Sequence, residues 1–106
     1  MAIIRGTTPT IEFIFDDIDP NDITTAVLSI KQNNKTIIER DLSSSYLETV
    51  NEIQVLAWKL TQEETFQLSS RIDAYIVCDW KLVDGTRGRS HSLITPVGEP
   101  GKDEVI

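Results

Sequence analysis

From Arg71 to Lys81 the chain alternates in strict period two. Ile72, Ala74, Ile76, Cys78 and Trp80 fall on one side, and Arg71, Asp73, Tyr75, Val77, Asp79 and Lys81 on the other. A helix would scatter the apolar set around its circumference, so the pattern predicts a strand with one buried face. Glu52 to Lys59 predicts another. There Ile53 and Val55 alternate in one phase and Leu56, Trp58 and Leu60 in the other, which a bulge near Val55 would reconcile. Between the two lies Thr61-Gln62-Glu63-Glu64, a capping box in which the Thr61 hydroxyl and the Glu64 carboxylate each satisfy a backbone N–H. Ser69-Ser70 limits the resulting helix, near residues 61–67, to one or two turns, and Phe66 and Leu68 are its core contacts.

The same period runs through the rest of the chain. Thr10 to Phe15 directs Ile11, Phe13 and Phe15 inward, and the acidic stretch Asp16 to Asp22, with Pro20 and Asn21, turns the chain. Thr24 to Lys31 follows with Ala26, Leu28 and Ile30 inside. Asn33-Asn34 is a tight hairpin, because Asn tolerates positive φ, and Thr36 to Arg40 returns beside it. Ser43 to Ser45 connects to a brief edge strand at Tyr46 to Val50. Asp84-Gly85 is a turn before a last strand at Arg89 to Val97, and residues 98–106 read as a flexible acidic tail. About seven strands at spacings of roughly ten residues predict an all-β, immunoglobulin-like β-sandwich. At 106 residues the chain supports one core, so residues 1–97 form a single domain.

A net charge of −7 argues against nucleic acid, which requires a face rich in Lys and Arg. No apolar run approaches the ~18 residues needed to span a bilayer. Met1 to Gly6 lacks a charged start followed by an apolar stretch, so no signal peptide is expected and the chain is assigned to the cytoplasm. One cysteine, Cys78, permits neither an internal disulfide nor a thiolate metal cluster.

Catalytic and metal chemistry finds little purchase. Asp17-Ile18-Asp19-Pro20-Asn21 has the spacing that opens a calcium loop, but Asp22 stands where glycine is required and Leu28 where the bidentate Glu belongs. An acidic turn accounts for it without an ion. His91, between Ser90 and Ser92, lacks the sharp nucleophile turn of a hydrolase. Cys78, between Ile76 and Trp80, reads as a buried inert thiol beside Asp79. No catalytic residue, metal or cofactor is therefore expected. Tyr75 and Val77 stand on the outer face of a central strand, where either a second layer or a partner would cover them. Val105 and Ile106, ending the tail, suit strand addition to a neighbour.

Three segments carry a resemblance: Arg5-Gly6-Thr7-Thr8-Pro9-Thr10-Ile11-Glu12-Phe13, Leu60-Thr61-Gln62-Glu63-Glu64-Thr65-Phe66, and Asp84-Gly85-Thr86 with Ser92-Leu93-Ile94-Thr95-Pro96-Val97. Together they resemble small proteins of prophage tail and baseplate gene clusters in Gram-positive bacteria. They are also similar to the N-terminal β-sandwich domain of siphophage upper baseplate proteins. The resemblance implies a non-enzymatic structural or adaptor protein whose partners are other tail or baseplate proteins, or copies of itself. It also implies synthesis in the host cytoplasm and a place in the virion if assembled. With no receptor-binding region after the sandwich, direct host recognition is not expected. The alternative is a small ligand- or carbohydrate-binding module on the same sandwich, which would need exposed rings. In Trp80 the phase with Ile72 to Cys78 favours the core instead.

Overall fold

The computed structural model describes residues 2–99. Its strands are β1 (Ile3–Ile4), β2 (Thr10–Phe13), β3 (Ile23–Gln32), β4 (Lys35–Asp41), β5 (Tyr46–Val50), β6 (Ile53–Lys59), β7 (Ala74–Leu82), β8 (Arg87–Arg89), β9 (Leu93–Thr95) and β10 (Val97–Gly98). A single short helix, α1 (Gln62–Phe66), precedes β7. One sheet has the order β2-β6-β5. The other has the order β4-β3-β7-β8, with β9 also on β7. The chain crosses between sheets after β2, β4 and β6, and β1 closes the assembly by pairing parallel to β10. This is the strand order of an immunoglobulin-like sandwich.

The core lies between the sheets, where Ile11, Leu56 and Trp58 meet Ala26, Leu28, Ile30, Ile76 and Cys78. Ile11, Ala26, Leu28, Ile30, Ile76 and Cys78 sit at the inward positions that period two assigns, whereas the two competing phases of Ile53 to Leu60 leave the placement of Leu56 and Trp58 open. Ile11 is 3% exposed, and Phe13 and Phe15 pack partly buried against the same cluster. No helix among the described residues is long and apolar enough to cross a membrane.

The turns follow from their residues. Asn33 and Asn34 adopt φ of 52° and 60°, the left-handed pair that matches strand twist in a two-residue hairpin. The Asp84-Gly85 turn uses a glycine at φ 90°. Thr61 caps α1: its hydroxyl accepts the Glu64 N–H at 3.1 Å while Glu64 Oε1 accepts the Thr61 N–H at 2.9 Å. At Gly88 the requirement is space, because a Cβ there would stand 2.1 Å from the Trp80 ring.

Several sequence expectations are corrected. β6 pairs with β2 and β5 without any register shift, so there is no bulge near Val55. Both phases are buried instead: Val55, Leu56, Ala57 and Trp58 are all at most 2% exposed. β6 is the middle strand, and Ala57 is small and flanked by Glu12 and Tyr46, so the neighbours cover its outer face. Glu52 belongs to the preceding turn, at φ 69°, and not to the strand. β7 begins at Ala74 rather than Arg71, because the buried side chain of Gln32 holds the approach in a bend. Gln32 Nε2 donates to Ser69 O and Ile72 O at 2.8 Å each, and Oε1 accepts the Ser69 N–H at 2.9 Å. The last strand is broken into β8, β9 and β10, with Ser90 to Ser92 and Pro96 interrupting the pairing. Two 3-10 turns, Pro20–Asp22 and Leu42–Ser44, accompany the one helix that was expected.

Pairing at the end of the described chain reaches Gly98, one residue past the expected domain boundary at 97. Glu99 then bonds Arg5 at 3.1 Å and the Ser70 hydroxyl. The remainder of the expected tail, 100–106, lies outside the described residues.

Candidate protein-contact surfaces

The outward positions of β7 are Tyr75, Val77, Asp79 and Lys81. They fare differently because their cross-strand neighbours differ. Tyr75 stands opposite Lys31 on β3 and Ile94 on β9. It is 44% exposed and Ile94 57%, so two apolar side chains share an uncovered rung of the sheet. Val77, expected to stand open beside Tyr75, is only 6% exposed, and its β3 partner Ser29 is buried with it. The exposed pair on this face is therefore Tyr75 with Ile94. Val105 and Ile106 lie outside the described residues. Next to Tyr75 an open groove of about 480 Å³ is lined by Lys31, Asn33, Asn34, Ile72 and Asp73.

A second surface is the edge formed by β5. It pairs with β6 on one side only, and all five of its residues are exposed, Tyr46 and Leu47 among them. An unpaired edge offers a row of backbone donors and acceptors to another strand. A shallower groove of about 280 Å³, lined by Ile23, Leu42, Leu47 and Leu56, runs beside it.

Asp19 and Ser90 are occupied in structural roles. Asp19 accepts from the Asn21 N–H and Nδ2, both at 2.9 Å, which holds its carboxyl below the usual range. Asn21 Nδ2 also donates to Gln54 Oε1 at 2.7 Å, tying the acidic turn to β6. Among the described residues, no group of His, Cys, Asp and Glu is arranged to hold a metal. Ser90 Oγ accepts the Cys78 N–H at 2.9 Å and completes the strand ladder, while His91 is exposed. Trp58 has no exposed surface. Trp80 is partly buried, edge-on to Phe15 at 6.1 Å between centroids.

Burial, then the neighbouring Asp79 carboxylate, pushes the Cys78 thiol up to about 12 from an ordinary 9.0. Folded and unfolded chains both keep the proton below about pH 9. Between pH 9 and 12 only the unfolded chain releases it, so this group's contribution to stability is lost as pH rises through that window. The unfolding midpoint should therefore fall more steeply above pH 9 in the native sequence than in Cys78→Ala. Parallel curves for the two proteins would show that Cys78 is not held protonated by burial.

No protein-family model matches the chain, and no curated protein matches its sequence. A solved structure to which it is similar is the immunoglobulin-like domain of mouse leukocyte-associated immunoglobulin-like receptor 1, crystallised as a strand-swapped dimer. The two share 14% identity at a TM-score of 0.47, over 92% of this chain and 85% of that one. The strand order itself makes this chain an immunoglobulin-like sandwich.

Proposed function

We propose that this is a non-enzymatic structural or adaptor protein of a phage or prophage tail or baseplate assembly, acting through protein–protein contacts. The observation that carries the reading is the exposed apolar rung of Tyr75 and Ile94 on the outer face of the larger sheet. Apolar side chains paired in the open on a sheet mark a face that another protein covers. The edge of β5 offers a second point of attachment by strand addition.

The tail attribution is supported by the resemblance of three segments, two of which touch. Thr65, in α1, donates its hydroxyl to Thr7 O and accepts the Gly6 N–H, both at 2.9 Å. Arg5 Nη2 donates to Phe66 O at 3.2 Å and its guanidinium stands 5.6 Å from the Phe66 ring centroid. The opening Arg-Gly-Thr-Thr segment and the capped helix thus form one clasp, which gives their joint occurrence a physical reason. In this role the protein is made in the host cytoplasm and enters the virion on assembly.

The test is a pull-down against purified tail and baseplate proteins of Gram-positive siphophages, with native protein and the double variant Tyr75→Lys, Ile94→Lys. Native protein is expected to retain a tail component, with at least about tenfold weaker retention by the variant, as for loss of a central apolar contact. Retention of none of the components would sink the tail reading. Equal retention by both proteins would move the contact away from this face.

A further inference from the structure

Lys81 and Arg87 are direct cross-strand partners on β7 and β8, so two cations stand side by side. Like charges in that register destabilise an antiparallel pair. Two residues along on the same face Arg89 is matched by Asp79, with Nε to Oδ1 at 2.5 Å. The side chains of Lys81 and Arg87 make no hydrogen bond or ion pair to another described residue, although the Lys81 carbonyl accepts from the Thr24 hydroxyl at 3.3 Å. They line a groove of about 340 Å³ with Thr25, Val27, Asp79 and Trp80. An uncompensated cationic rung in a chain of net charge −7 calls for an acidic partner.

The acidic turn lies at the same end of the sandwich. Val83 donates its N–H to Asp22 O at 2.8 Å, Ile23 pairs with Leu82, and Phe15 packs on Trp80. Asp16, Asp17 and Asp22 are exposed, and their carboxylates also lack a bonded partner among the described residues. Val83 at 72% and Ile14 at 64% are the two most exposed large apolar residues among the described residues and belong to these two segments. Unmatched cations and unmatched carboxylates therefore occur at one end of the sandwich without pairing within the molecule. An end that carries both signs can meet a second copy about a two-fold axis with each sign against its opposite.

We infer that this end of the sandwich is a homodimer interface, in which the Asp16–Asp17 turn of each copy lies against Lys81 and Arg87 of the other, with Ile14 and Val83 covered. The inference rests on the reading of the chain as a contact protein. It depends neither on the tail attribution nor on the Tyr75 and Ile94 face.

Charge exchange tests it. Sedimentation velocity is run on native protein, on Lys81→Glu with Arg87→Glu, on Asp16→Lys with Asp17→Lys, and on an equimolar mixture of the two double variants. Circular dichroism checks that each is folded, and Lys81→Gln with Arg87→Gln is the milder substitute. The native chain is expected to dimerise and each double variant to be monomeric. In the mixture both contacts regain opposite signs, so dimer should return with affinity within about tenfold of native. The Tyr75→Lys, Ile94→Lys variant should dimerise as native does. A native monomer, double variants that dimerise unchanged, or a mixture that stays monomeric would each overturn the interface. None of these results would alter the outcome of the tail-protein pull-down, so the two readings fail separately.

Discussion

Replacing Trp58 with alanine is expected to lower stability by about 3–5 kcal/mol, the range for removing a fully buried large aromatic. The indole has no exposed surface and meets the Phe13 ring edge-on at 5.8 Å. Its Nε1 donates to Asp41 O at 2.8 Å. That carbonyl lies where the chain leaves β4 and crosses to the other sheet, so the substitution opens a cavity and also releases a crossover. For a domain of this size the midpoint should fall by more than about 12 °C. Trp58→Phe keeps most of the volume and loses the bond, so it should cost closer to about 1–2 kcal/mol. Thermal and denaturant unfolding would measure both. A drop below about 1.5 kcal/mol for the alanine variant would mean that the core is not centred on this ring.

Gln32→Leu should be nearly as costly, about 3 kcal/mol, although it exchanges a polar residue for an apolar one of similar size. The residue is 4% exposed, and its amide satisfies the Ser69 N–H, Ser69 O and Ile72 O. Leucine leaves all three part-buried backbone groups without this partner. Gln32→Glu sharpens the test, since two carbonyls would then face a carboxylate. The folded state would hold that carboxyl above its unfolded value, giving stability present at low pH and lost as pH rises. Hydrogen exchange at residues 69–74 should accelerate in both variants. Unchanged exchange there would show that the bend stands without this amide.

These two residues differ in how far the sequence reveals them. Trp58 is a large aromatic in a strand, which points to the core, although Ile53 and Val55 alternate in the phase opposite to Leu56, Trp58 and Leu60. Gln32 shares a phase with Ala26, Leu28 and Ile30, so a polar residue on an apolar face was the available sign, but its partners lie about 40 residues away. The Asn33-Asn34 hairpin could be read because both residues accept positive φ. The turn at Asn51-Glu52 uses the same geometry with a glutamate that gives no such sign. Tyr75 could be placed on the outer face from period two, whereas the burial of Val77 and the exposure of Ile94 depend on pairings between distant strands. The Lys81–Arg87 rung is hidden for the same reason: register across a hairpin must be known before a like-charge pair is visible.

The parallel contact of β1 with β10 sets an order on folding. Ile3, with no exposed surface, pairs with Val97, 94 positions further along the chain. During synthesis Ile3 leaves the ribosome early and has no partner until β10 emerges. The two sheets can assemble around Trp58 before then, whereas β1 cannot take its place beside β10 until residues 97 and 98 have been made.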